Sequence, residues 1–235
     1  MIDAAGWLGP DEWEAVRLSL QVAAWATVAS LPLALLAAYA LARWSFWGKS
    51  LLNGIVHLPL ILPPVVTGYI LLRVFGRRGV LGGWLEDAFG IVLSFHWTGA
   101  GLAAAVMAFP LTVRAIRLSI EAIDTRIENS AATLGAAPIW VFATITLPLA
   151  LPGIIAGAIL GFAKALGEFG ATITFVGAIP GQTQTIPSAI YVFLQSPDGG
   201  QGALRLVVLS VVIAMTALIA SEWVARRAAA WVRGT

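Results

Sequence analysis

The sequence predicts an all-α integral membrane protein with about five transmembrane helices and a helical docking elbow between two of them. Three observations predict it. Hydrophobic residues make up 59% of the chain and charged residues only 11%, against roughly 25% charged in a soluble domain. Several apolar stretches approach or exceed the ~20 residues that cross a bilayer. Between two of these stretches, a short polar segment carries the start and stop signals of soluble helices. At 235 residues the chain has room for the spans and short loops, and none for an attached nucleotide-binding domain. It has no cysteine, which excludes disulfides, thiolate metal sites and cysteine nucleophiles. No internal repeat or domain boundary is visible, so 1–235 reads as a single transmembrane domain.

The start, MIDAAGWLGPDEWEAVR, places acidic residues before the first apolar run and lacks a basic opening. That run therefore reads as a retained span rather than a cleaved signal peptide. Spans are expected at about 15–42, 51–75, 99–118, 145–168 and 203–225. Pro59, Pro63 and Pro64 should distort the second. His57 has no companion ligands nearby, so it reads as a kink histidine bonded to backbone rather than a metal ligand. Gly48-Lys49-Ser50 lacks the upstream glycine of a phosphate loop and fits a short turn. In the segment Gly76–Thr98 a short interfacial helix is expected, with Trp84, Phe89 and Trp97 as anchors and His96 as a loop residue. Gly99-Ala100-Gly101 has no strand before it and reads as small residues for close helix contact rather than a dinucleotide loop.

The elbow occupies about 119–144. Thr125 and Glu128 have the spacing of a capping box. Gly135 fits the left-handed position that ends a helix, and Pro138 the first turn of the next. Leu147-Pro148 then leads into the fourth span. There, Gly153, Gly157 and Gly161 form a smooth face for another helix, within the subunit or between subunits.

Lys164 and Glu168, four apart, share a helix face as a possible ion pair. With Phe169, Gly170 and Thr172 beside them, they either line a solute pathway or sit at an interface with Lys164 snorkelling. The segment Gly167–Gly202 is rich in glycine, proline and threonine. Where it dips to membrane depth it must lie against protein or a cavity. No G-x-S-x-G, H-E-x-x-H or paired-carboxylate motif appears.

The side of the loop 43–50, the elbow and the tail holds Arg43, Lys49, Arg114, Arg117, Arg126, Arg226, Arg227 and Arg233. On the other side, Arg17, Arg73, Lys164 and Arg205 lie in spans or at their ends, beside Arg77 and Arg78 in a loop. The positive-inside rule favours an outside N-terminus and a cytoplasmic C-terminus.

Gly135, nine intervening residues, then Ile145, Leu147 and Pro148 resembles the EAA-loop signature of ABC importer permeases. Asn129, Ser130 and Ala131 stand where that family has E-A-A, with Glu128 one residue out of register. Ala136 and Pro138 follow the glycine. The stretches 57–72, 108–124, 167–191 and the last span resemble the molybdate-transporter branch. The resemblance implies a single permease domain in a bacterial inner membrane, working as a homodimer. It also implies two ATP-binding ABC subunits gripping the elbow and a periplasmic molybdate-binding protein outside, with Arg77 and Arg78 as candidate receptor contacts. It implies no cofactor bound by this chain, ATP and Mg being used by the partner ATPase, and no nucleic-acid partner. Competing readings are a tungstate or sulfate permease, an intramembrane enzyme using Lys164, Glu168 or His57, and a non-transporting anchor.

Overall fold

The structure is a computed structural model that describes residues 7–233. Residues 1–6 and 234–235, part of the expected single domain, lie outside these, as does the side chain of Arg233. The described chain is helical throughout: α1 Pro10–Arg43, α2 Lys49–Ile61, α3 Pro64–Phe75, α4 Val80–Phe89, α5 Trp97–Glu121, α6 Thr125–Thr133, α7 Pro138–Val141, α8 Leu147–Leu166, α9 Gly170–Val176, α10 Ile186–Leu194 and α11 Gly200–Arg233. Four helical stretches are long and apolar enough to cross a membrane, or five if the bent pair α2/α3 is one span.

Residues 51–75, expected as one span distorted by its prolines, are two helices: α2 and α3 meet at 113°. Pro63 forces Leu62 out of the helical region, to φ −71° and ψ 143°. Pro64 then starts α3 in its first turn, where its missing N–H costs nothing.

α5 is the axis of the bundle. Within its apolar window 61% of residues are buried, against 11% in α11, which rides on the outside. α1 turns a stripe of small residues toward the interior, among them Ser19, Ala23, Ala26, Ser30, Ala34 and Ala38, all buried at helical spacing. Such side chains let helix backbones approach closely. Thirty-four residues of α1 span about 51 Å at ~1.5 Å each, well beyond a ~30 Å hydrocarbon core. Arg43, in its last turn, therefore reaches past the apolar region toward the elbow.

α8 packs on α5 through its glycines. A Cβ at Gly157 would lie 3.1 Å from the Thr112 carbonyl oxygen and 3.2 Å from Ile116 Cγ1. One at Gly153 would collide with Ser119, and one at Gly161 with the Thr112 hydroxyl. The glycine face thus serves a contact within the subunit.

At the end of the bundle opposite the elbow, buried Glu12 accepts from Arg205 (Nη2 2.6 Å, Nε 3.0 Å) and from the Gly9 N–H (2.7 Å). This ion pair ties α1 to α11, and the Ile186 N–H donates to Ser19 Oγ at 2.7 Å to bring in α10. The short helix α4 carries Trp84 against Phe89 with ring centroids 5.5 Å apart. Trp97 departs from the expected anchor role. It opens α5 and packs edge-on to Trp25 of α1.

Gly153→Leu should force α8 off α5 and destabilise the protein by about 1–3 kcal/mol, the usual cost of overpacking. Gly54→Leu on α2, where nothing crowds an added Cβ, should be close to neutral. Thermal unfolding of both variants in one detergent checks the contrast.

Candidate functional site: the elbow and the broken helices

The elbow is built by local chemistry with one substitution of roles. Asp124, not Thr125, caps α6: its carboxylate accepts from the Arg126 N–H at 2.9 Å. The expected capping box of Thr125 and Glu128 does not form, because Glu128 is engaged elsewhere. Gly135 sits at φ +87°. The Ala136 N–H bonds to the Ala131 carbonyl (3.1 Å) and the Gly135 N–H to that of Ala132 (3.0 Å). These are the two bonds of a Schellman ending. Pro138 opens α7 as the spacing requires.

α7 is not a separate short helix. It runs through a π-helical segment, Phe142–Thr146, straight into α8, so the rod entering the membrane begins at Pro138 rather than near residue 145. Pro148 offers no N–H, and its ring crowds the carbonyl four residues back. The wider π turn sits where that crowding falls, with the Leu147 N–H reaching the Phe142 carbonyl. Single π turns inside α-helices recur at functional sites.

Glu128 joins three elements. One carboxylate oxygen accepts from the buried Thr146 hydroxyl in the π segment at 2.6 Å. The other lies 2.9 Å from Arg43 Nε at the end of α1. The Nε–H is not aligned for a hydrogen bond, so this contact is an ion pair, each side chain 14% exposed. Arg43 also donates through Nη2 to the Ile123 carbonyl at 3.1 Å. Arg117 bonds Glu121 (2.7 Å) and the Asn53 side chain (3.1 Å), linking α5 to α2 at the same end.

The elbow's outer face is apolar as well as polar. Leu134 is 89% exposed, Ile139 69% and Trp140 65%. Asn129, Ser130 and Pro138 are exposed among them, while Ala131, Ala136, Ile145, Leu147 and Pro148 are half-buried. These are large apolar side chains left open on an otherwise polar corner.

Deeper in the bundle, two helix breaks meet. Lys164 Nζ donates to Glu168 Oε2 at 2.6 Å, the helical pair expected from the spacing. Glu168 is buried, and its other oxygen accepts from the Ala171 N–H at 3.0 Å, which fixes the turn from α8 into α9. The Thr172 hydroxyl is buried and donates to the Phe169 carbonyl at 2.9 Å; it holds this turn rather than facing open space. Lys164, Phe169 and Gly170 remain half-exposed, and Phe169 packs against Tyr191 at 5.2 Å. Across from them lies the α2/α3 break: a Cβ at Gly170 would come within 2.7 Å of Pro64 Cβ. Next to Pro64, Gly68 lets the Ala171 backbone approach, and the Thr67 hydroxyl is buried without a hydrogen-bond partner among the described residues.

His57 bonds the Asn53 carbonyl at 2.8 Å, a local contact along α2. His96 caps α5 and bonds Thr98. Gly48 forms a left-handed turn before α2. Among the described residues no group of His, Cys, Asp and Glu could hold a metal.

The interhelical partners of Glu128 and the break at Pro64 were beyond sequence reasoning. A carboxylate one residue out of register in the elbow was the only signal for the first.

This combination, spans broken against each other at depth and an elbow shaped for a partner at one end, defines a membrane transport subunit. Residues 30–230 match the family described as binding-protein-dependent transport system inner membrane component, and the chain belongs to that family, whose members are multi-pass inner-membrane proteins. It is 58% identical over 215 residues to the molybdenum transport system permease protein ModB of Escherichia coli K12, covering 92% of this chain and 94% of that one. To the Haemophilus influenzae protein of the same name it is 54% identical over 216 residues, with the same coverage. The fold matches a crystal structure of a bacterial ABC transporter that imports the polysaccharide alginate, with a TM-score of 0.71 at 16% identity over 95% of this chain and 85% of that one.

Breaking the strut at Glu128 should be felt at both of its ends. Arg43→Gln and Glu128→Gln should each destabilise the assembled complex. Their combination should cost less than the sum, with a coupling of about 0.5–3 kcal/mol. Thermal unfolding of the single and double variants measures it; strict additivity would show that the pair carries no coupling.

Proposed function

We propose that this chain is the membrane-spanning permease of an ATP-driven importer that carries molybdate inward. The observation that carries this reading is the 58% identity to a molybdenum permease across nearly the whole of both chains. The exposed Leu134, Ile139 and Trp140 around the Gly135 corner support docking of an ATP-hydrolysing subunit on the elbow. Two such subunits would serve a dimer of this chain, binding ATP and Mg themselves. Asn129–Ala131 replace the family's E-A-A, so the grip here rests on the apolar knobs and the Gly135 turn. With the elbow cytoplasmic, the N-terminus lies outside, and a periplasmic molybdate-binding protein would deliver the anion to the opposite end.

The mechanism follows from how the elbow is attached. α6 is joined to the rod α7–α8 through Gly135, and to α1 through the Glu128–Arg43 pair. Closure of the ATPase subunits on the elbow therefore acts on two spans at once. ATP and the loaded receptor shift the spans only by their differential affinity for the two states. In the path, Glu168 is pinned by the Ala171 N–H while Lys164 keeps a half-exposed side chain. A passing dianion competes with Glu168 for the ammonium. It gains a transient partner, and the pair re-forms behind it, so no deep trap remains.

The test is ATP-dependent uptake of radiolabelled molybdate into liposomes holding this chain with its ATPase and receptor, with unlabelled sulfate as competitor. Uptake blocked by excess molybdate but not sulfate supports the reading; none from an assembled complex sinks it. Lys164→Ala should slow uptake at limiting substrate several-fold without affecting assembly. Gly135→Val puts a β-branched residue where φ is +87°. It should abolish co-purification with the ATPase, and normal binding would remove the corner from the interface.

A further inference from the structure

At the end opposite the elbow, a cavity of about 770 Å³ opens between the end of α3 and the segment leading into α5. Its walls carry Arg73, Arg77, Arg78, Ser94 and His96. The ionised side chains on this wall are guanidiniums, and they are poorly neutralised. Arg77 faces Glu86 of α4 at 3.8 Å, and neither Arg73 nor Arg78 forms an ion pair among the described residues. Every other ion pair of the described chain is 2.9 Å or shorter. The far wall is held in an uncommon conformation. Phe95, between buried Ser94 and His96, has φ +58°, a left-handed position that bulky residues avoid. Strain of this kind persists where the surroundings impose it, and it clusters at ligand sites.

We infer that this cavity binds a tetrahedral oxyanion, with Arg73, Arg77 and Arg78 as its cations and the Ser94 hydroxyl as a further donor. Guanidinium forks match the paired oxygens of such an anion and hold charge whatever the pH. A concave wall of three arginines, of which only Arg77 meets a carboxylate among the described residues, concentrates anions at its mouth. The site shares no residue with the Lys164–Glu168 pair and lies at the end where the proposed receptor would deliver the anion, so it goes beyond the transport reading. The same chemistry is offered by a soluble oxyanion and by a lipid phosphate.

Equilibrium binding separates the sources. The complex of this chain with its ATPase, without receptor or nucleotide, is placed in phosphatidylcholine nanodiscs and titrated with radiolabelled molybdate. A parallel sample purified in phosphatidylglycerol is examined by native mass spectrometry for retained lipid. Saturable molybdate binding, one per copy of the chain and weakened about tenfold or more in R77Q/R78Q, identifies a soluble oxyanion site. Phosphatidylglycerol retained by the native protein and lost in R77Q/R78Q assigns the site to lipid phosphate. R77K/R78K, which keeps the charge but not the fork, should lose less binding than R77Q/R78Q, and R226Q, an exposed cation beside Glu222, should keep all of it. Absence of both ligands from the native complex overturns the proposal, as does equal binding by R77Q/R78Q. Because neither ATP nor receptor is present, failure here leaves the uptake experiment standing on its own.

Discussion

A backbone amide inside a bilayer has no water to bond, so every interruption of a helix there must be covered by protein. This constraint orders the whole bundle. The interruptions at Leu62–Pro64 and at Gly167–Phe169 are placed against each other, with Pro64 beside Gly170 and the Ala171 backbone beside Gly68. Glu168 supplies what the second break lacks, accepting the Ala171 N–H that would otherwise be orphaned at the start of α9. The carboxylate is in turn made tolerable at depth by Lys164. Ionisable groups in membrane segments are costly and face bundle interiors or aqueous paths. Here the pair is explained as the support of a broken helix, with its lysine left half-exposed.

The same economy of contacts governs the elbow. A left-handed glycine and a proline are enough to make a corner, but a corner alone is a hinge. What stiffens it is Glu128, fixed to the π turn by Thr146 and to α1 by Arg43. With each side chain only 14% exposed, this pair is more than a surface ion pair, whose worth is commonly below about 1 kcal/mol. Removing one partner leaves the other charge facing an apolar wall. A push on α6 therefore reaches α1 and α8 through short bonds rather than through a flexible loop.

Much of this was legible in the sequence, and the pattern of what was not is instructive. Gly135 and Pro138 act through their own backbone restrictions, so their positions could be read without knowing any neighbour. Lys164 and Glu168 pair along one helix, and their spacing sufficed. The glycines of α8 announced a close contact, though only the structure shows that its partner is α5. Thr125 and Glu128 had the spacing of a capping box, yet Asp124 competes for the same N–H groups from one residue earlier. Glu128 was drawn to a cation eighty-five positions away in sequence. The angle at Pro63 was equally hidden: a proline says that a helix stops, and only packing against α9 says where the next one points.

The cations that bear on the proposed route differ in how far they are neutralised. Arg43 is neutralised by Glu128 and half-enclosed, and Lys164 is neutralised by Glu168 with its head partly open. Arg73 and Arg78 carry no carboxylate partner among the described residues. On the proposed route from the arginine-lined mouth toward the elbow, attraction would be strong at the entrance and compensated within the span. Conduction needs this order, because a site must be favourable enough to enter and weak enough to leave. An unpaired lysine at depth would hold a dianion, whereas a lysine with a built-in competitor returns it. On the proposed route, the carboxylate that supports the break between α8 and α9 would also limit how long the anion can stay, which would join the architecture of the broken helices to the rate at which they can be crossed.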